Sequence, residues 1–139
     1  MAKGKVRKKP KLIIDGSNVA MSTKSSKGSI DYLIQALDWG KKSGYEPLII
    51  IDKSLFSYID NKEKLKELVK KRIVKVAEGM EADMLILKQA EEEKAFILTN
   101  DRFKEYQEKF SWLQSGERLI RFSFKGEKLK IFEDYFVSS

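Results

Sequence analysis

The chain has 139 residues, 42% hydrophobic and 35% charged, with 28 Lys and Arg against 21 Asp and Glu for a formal net charge of +7. That length fits one compact domain, and the composition matches neither a disordered chain nor a membrane-embedded one. Cysteine and histidine are both absent, which excludes disulfides, thiolate nucleophiles, Cys/His zinc sites, Ser-His-Asp triads and imidazole bases together.

Residues 1–11 hold Lys3, Lys5, Arg7, Lys8, Lys9 and Lys11 and no acid, so the remaining chain is close to neutral. Residues 1–10 read as a basic, flexible tail suited to polyanions, because each Lys or Arg that meets a phosphate releases condensed counterions. Residues 11–139 read as the folded domain. The longest apolar run, Leu48-Ile49-Ile50-Ile51, falls far short of the roughly 20 residues that span a bilayer. The apolar stretch after the basic start is too short for a secretory signal. A cytoplasmic protein with no membrane segment is expected.

Lys11-Leu12-Ile13-Ile14-Asp15 predicts a buried strand, and Gly16-Ser17-Asn18 supplies a turn after it. Ser29 is placed to cap a helix whose apolar positions Ile30, Leu33, Ile34 and Leu37 follow helical spacing, with Gly44 ending it. Pro47 to Asp52 is a second continuous apolar run, as in a strand covered on both faces. Asp60 or Asn61 caps a second helix through about Lys70, and Arg72 to Val76 is a third strand. Glu81 to Lys94 has helical spacing with Asp83 in its first turn, and Ala95 to Thr99 is a fourth strand. Arg102 to Gln114 predicts a helix anchored by Phe103, Tyr106, Phe110 and Trp112 or Leu113. Leu119 to Phe124 and Leu129 to Phe132, around Lys125-Gly126-Glu127, predict a fifth strand and a hairpin partner at the sheet edge. This alternation argues for an α/β fold with a mostly parallel central sheet between helical layers.

Sites in open parallel sheets form outside the carboxyl ends of the strands. Asp15, Asp52 and Asp101 follow apolar strands closely, and Asp83 starts a helix at the same end. Taken singly, each has an ordinary explanation: Asp15-Gly16 as a turn, Asp52 as loop composition, Asp83 as a favourable charge at a helix start, Asn100-Asp101 as a cap. Together they are carboxylates that repel one another and push each other toward protonation. A divalent cation relieves that repulsion, and with only oxygen ligands on offer the candidates are Mg²⁺, Mn²⁺ or Ca²⁺. No G-x-x-x-x-G-K-[ST] or G-x-G-x-x-G segment anchors a nucleotide cofactor. A phosphatase with a first-strand Asp nucleophile wants a second Asp where Ser17 stands, and a receiver domain wants its Asp at the third strand's end, where Val76-Ala77 stand.

The segment Ile13-Ile14-Asp15-Gly16-Ser17-Asn18-Val19-Ala20-Met21 and Ala82-Asp83, followed eighteen positions after Asp83 by Asp101 in Thr99-Asn100-Asp101-Arg102-Phe103, resemble the NYN ribonucleases of the Regnase (Zc3h12a-like) type in the PIN-like nuclease superfamily. Ile51 to Leu55 and Glu81-Ala82-Asp83 resemble the stand-alone microbial members, which lack a zinc finger. The resemblance implies a PIN-like Rossmannoid fold and a Mg²⁺-dependent endoribonuclease, with Mn²⁺ able to substitute, leaving 5′-phosphate and 3′-hydroxyl ends. Asp15, Asp83 and Asp101 match the family's metal-binding acids, Asn18 and Asn100 orient ligands or substrate, and Glu105 stands where relatives often have Asp, as a holder of a metal-bound water; Asp52 is an extra acid. Single-stranded RNA is the implied partner, contacted by Lys24, Lys27 and Arg102 and by Lys3, Lys5, Arg7, Lys8 and Lys9 of the tail; a homodimer also fits the family. Ala82 stands where the animal enzymes have a second acid, so the resemblance leaves one or two metals open. The rival readings are a DNA or flap nuclease of the same superfamily, a non-catalytic nucleic-acid-binding module, and a subunit that works only with a partner.

Overall fold

In the computed structural model, which describes residues 8–132, five strands form one parallel sheet: β1 (Lys11–Asp15), β2 (Glu46–Asp52), β3 (Val74–Ala77), β4 (Phe96–Leu98) and β5 (Leu119–Ile120). They lie in the order β3-β2-β1-β4-β5, so the chain winds outward from β1 on one side and then crosses to the other. The helices are α1 (Gly16–Ala20), α2 (Ile30–Lys42), α3 (Lys62–Lys70) and α4 (Ala82–Glu93). A C-terminal hairpin, β6 (Phe122–Lys125) with β7 (Lys128–Ile131), makes a separate antiparallel sheet. The expected α/β architecture is thus present. Among the described residues no helix is long and apolar enough to cross a membrane.

Strand alternation builds two cores. Leu12, Ile14, Ile49, Ile51, Leu98 and Ile120 face Leu33 and Leu37 of α2 and Leu65 and Leu68 of α3. The intervening Ile13, Ile50, Ile97 and Leu119 face Ile86, Leu87 and Ala90 of α4 and the aromatic segment that contains Phe103 and Phe110. Each such side chain, removed fully from water, contributes about 1.5–3 kcal/mol, which is why the continuous apolar runs fold as strands covered on both faces. Ser29 Oγ accepts from the Tyr32 N–H at 3.1 Å and Asn61 Oδ1 from the Lys64 N–H at 3.0 Å, so both caps fall where the sequence places them. Asp60, the other candidate cap for α3, instead reaches the start of α2, accepting from the Ile30 N–H at 2.9 Å.

Four segments differ from the sequence expectation. Gly16 to Asn18 opens the short helix α1 rather than a bare turn. Residues 102–114 form no helix: 3₁₀ turns at Lys104–Tyr106 and Ser111–Leu113 replace it. Phe103 takes a left-handed φ of 51° and Phe110 is non-helical, which lets Phe103, Phe110 and Leu113 all turn under the sheet. The third strand begins later than Arg72, because Arg72 itself adopts a left-handed φ of 63° to end α3. The segment 119–124 is cut in two at Arg121, and its second half leaves the main sheet for the hairpin. Of the basic start, Lys3, Lys5 and Arg7 lie outside the described residues; Lys8 and Lys9 are exposed, and the Pro10 carbonyl already accepts from the Glu46 N–H.

Gly16 is required by close approach. A Cβ there would stand 2.5 Å from Ile51 Cγ2, 2.7 Å from Ile49 Cγ2 and 3.0 Å from the Ile50 carbonyl oxygen, all on β2. Gly16→Ala should therefore lower stability by about 1–3 kcal/mol through overpacking, read as a reduced urea midpoint with an unchanged slope.

Candidate active site

The strand order reverses between β1 and β4, and the crevice outside their carboxyl ends is where doubly wound sheets place ligands. Asp15, the last residue of β1, is only 6% exposed there. Its Oδ2 accepts from the Thr99 hydroxyl across the crevice at 2.8 Å, and Thr99 Oγ1 in turn accepts from the Asp101 N–H at 3.0 Å. Burial dominates the Asp15 carboxyl and pushes it up to about 7; Thr99 and the Asn18 amide pull against that, while Asp83 and Asp101 add to it.

Asp83, in the first turn of α4, is half-buried and pushed up to about 6. Burial is again the largest cause, followed by the charges of Asp101, Glu105, Glu81 and Asp52. A helix N-terminus normally favours a carboxylate; here desolvation and like charge win. Asp101 Oδ1 accepts from the Phe103 N–H at 2.8 Å, a local turn bond that fixes this acid while the chain bends under the sheet. Glu105 stands in the following 3₁₀ turn. Glu81 accepts from the Tyr106 hydroxyl at 2.8 Å, which pushes the phenol up to about 12.

The two asparagines act on the backbone. Asn18 Oδ1 accepts from the Asn100 N–H at 3.0 Å, a second clamp between the loops after β1 and β4. The Asn100 side chain bonds both the N–H and the carbonyl of Phe122, at 3.1 and 2.9 Å. Arg121 Nη1 donates to the Thr99 and Asp101 carbonyls at 3.0 and 2.8 Å. These bonds draw the chain out of the sheet after Ile120 and build one wall of the crevice. Asp52 accepts from the Ser54 N–H at 3.0 Å and thus starts a 3₁₀ turn, while its own N–H donates to Ser17 Oγ at 3.1 Å.

The structure thus gathers Asp15, Asn18, Asp83, Asn100, Asp101 and Glu105 at one sheet end, with Asp52 near enough to act on Asp83. Arg102 is exposed at their side, in a cavity of about 510 Å³ shared with Asn100, Gln107 and Arg121. Lys24 and Lys27 line a different groove, beyond α1. Lys8 and Lys9 precede β1 and stand at the opposite, amino end of the sheet. Thr99, Glu81 and Arg121 carry roles that sequence reading did not assign. Thr99 and Glu81 adjoin the acids in sequence, whereas nothing near Arg121 points to the crevice.

The donor set is oxygen throughout, which suits a hard divalent cation. Among the described residues no three carboxylates converge as a ready-made metal cage.

The family model described as the Zc3h12a-like ribonuclease NYN domain matches residues 8–136. The solved nuclear protein-only RNase P 2 of Arabidopsis thaliana resembles 90% of this chain with a TM-score of 0.71 at 21% identity, a likeness of fold; the chain spans 30% of that protein's length. A comparison with curated proteins by sequence gives no match.

Because the Asp15 carboxyl is raised from 3.8 to about 7, its contribution to stability is fully present below pH 4 and is lost as the pH rises through 7. In EDTA, Asp15→Asn, which keeps an oxygen for Thr99, should be more stable than wild type above pH 7, by on the order of 2–4 kcal/mol. The difference should shrink toward pH 4, followed by thermal melts across that range. Asn100→Ala should cost about 1–3 kcal/mol at every pH by leaving the Phe122 backbone groups unpaired, which chemical denaturation measures.

Proposed function

The chain belongs to the Zc3h12a-like ribonuclease NYN domain family, and we propose that it is a Mg²⁺-dependent endoribonuclease that cuts single-stranded RNA to 5′-phosphate and 3′-hydroxyl ends. The observation that carries this reading is the gathering of carboxylates at the strand switch point: Asp15 buried at the end of β1 against Thr99, Asp83 half-buried at the start of α4, and Asp101 bonded through its N–H to the same Thr99 hydroxyl. Carboxylates concentrated in a partly dry cleft are poor structure and good ligands for a cation.

Asp15, Asp83 and Asp101 are the residues that would hold the metal, Mg²⁺ or in its place Mn²⁺, mostly through its bound water rather than as a direct three-carboxylate cage. When bound, such an ion neutralises a nonbridging phosphate oxygen and lowers the pKa of a bound water, which serves where no histidine exists. The protein's own part is placement. Thr99 fixes the Asp15 carboxylate, the Phe103 N–H fixes Asp101, and the bond from the Asn100 N–H to Asn18 holds the two loops at constant separation. Glu105 and Glu81 extend the acidic rim beside Asp83. Arg102, exposed and next to Asp101 in the chain, would meet a substrate phosphate.

Among the described residues the Asp83 side chain makes no hydrogen bond, so Asp83→Asn removes its charge without breaking one there. We expect end-labelled single-stranded RNA to be cleaved in Mg²⁺ or Mn²⁺ and to survive in EDTA. Asp83→Asn and Asp101→Asn should each slow cleavage about a hundredfold or more, the scale of losing one preorganised electrostatic group, with melting temperatures equal to or above wild type. Cleavage of the matching DNA instead of RNA would mean a DNA nuclease. Binding without products under any metal would make the protein a non-catalytic module.

A further inference from the structure

The β6–β7 hairpin carries a charge arrangement that stability does not favour. Its register sets Lys125 directly opposite Lys128 and Ser123 opposite Lys130. Phe122, Phe124, Leu129 and Ile131 alternate with these residues and pack on the α2 core. The outer face thus presents Lys125, Lys128 and Lys130, all exposed and none in an ion pair among the described residues. Like charges directly opposite on neighbouring strands are destabilising.

The hairpin is nevertheless held firmly. Tyr32 and Phe124 stack with centroids 3.6 Å apart and planes 5° from parallel. Gln35 of α2 donates to the Glu127 carbonyl at 2.8 Å and accepts from the Leu129 N–H at 2.9 Å. At its root the Asn100 side chain grips Phe122, so the hairpin springs from the wall of the acidic crevice. Under its tip, a groove of about 960 Å³ is bounded by Lys125 on one side and by Lys24 and Lys27 on the other. The loop bearing those two lysines is tied to itself, Thr23 Oγ1 donating to the Lys27 carbonyl at 2.8 Å and the Lys27 N–H to Ser25 Oγ at 2.8 Å. It is also tied to the crevice, Ser22 Oγ donating to the Asn18 carbonyl at 2.7 Å. Two acids also line the groove: Asp60, engaged by the Ile30 N–H, and Glu127 in the turn.

We propose that the lysine face of the hairpin and the groove beneath its tip form a phosphate track that holds the RNA strand as it leaves the acidic crevice. This rests on the ribonuclease reading. An acidic centre repels a polyanion, so the strand needs fixed positive charge close by. The basic start of the chain enters at the opposite end of the sheet, whereas the hairpin starts at the crevice and its four-residue strands extend about 13 Å from it. The bonds that seat the hairpin fix the backbone that carries these lysines before RNA arrives.

The test is binding of a labelled single-stranded RNA in EDTA across a series of salt concentrations, separate from any cleavage assay. In the triple variant Lys125→Ala, Lys128→Ala, Lys130→Ala, the slope of log affinity against log salt should flatten by about 2, at about 0.7 per lost phosphate contact. Affinity at about 0.1 M salt should then fall on the order of ten- to a hundredfold. Lys128→Gln alone should flatten the slope by about 0.7, a milder change should the triple variant melt early. Lys62→Ala, Lys66→Ala, Lys70→Ala on α3 removes equal charge elsewhere and should keep the wild-type slope. Wild-type binding by the hairpin variants, or equal weakening by both triple variants, would overturn the track. Absence of RNA cleavage by wild type would overturn the ribonuclease reading instead, whatever the slopes.

Discussion

A carboxylate buried where β1 meets β4 is the constraint on which the rest of the structure turns. Asp15 ends the central strand with almost no access to water and with one strong side-chain partner, the Thr99 hydroxyl. Removing a carboxylate from water is costly unless it is paired, and the residues arranged around it are more carboxylates. The fold tolerates this because the two apolar cores above and below the sheet are continuous, and because the switch in strand order leaves a crevice at this point in any case.

Around that carboxylate the backbone departs from regular structure wherever regularity would close the crevice. Had β5 continued past Ile120, the chain would have run on along the sheet beside β4. Asn100 takes up both backbone groups of Phe122 and Arg121 reaches back to Thr99 and Asp101, so the strand stops and the hairpin begins. Had residues 102–114 formed one helix, Phe103 could not have turned under the sheet. Its left-handed backbone is uncommon for a bulky side chain, and the buried contacts of the ring offset it. Local strain and a broken strand thus occur beside the acids, as expected where positioning competes with folding.

The charges are divided by place. Acids collect at the carboxyl end of the sheet, the exposed lysines of the hairpin and of the loop after α1 flank the same end, and Lys8, Lys9 and Lys11 stand at the other. A phosphodiester strand bound by a cation in the acidic crevice calls for the same division: the cation at the reacting phosphate, fixed ammonium groups along the phosphates beyond it.

The sequence by itself determined the parallel sheet, the order of its elements, the cap at Ser29, and the meeting of Asp15, Asp83 and Asp101 at one end, while it left the α3 cap open between Asp60 and Asn61. Each of those is written in local periodicity, in a capping side chain, or in the rule that loops after parallel strands share a side. Asn18 and Asn100 were legible as neighbours of the acids, but their bonds to each other and to Phe122 were not. Such bonds join positions as far as 82 residues apart and depend on how the loops pack. The aromatic spacing after Asp101 is helical on paper, yet the sheet above it required Phe103 to turn inward, and long-range burial outweighed local preference. Only the tertiary structure decided that Arg121 serves the crevice and that Lys125 shares a groove with Lys24 and Lys27. Side-chain charge at these positions carries no periodic signal, and the place of the hairpin is set by its seating on α2 through Tyr32, Gln35 and Phe124.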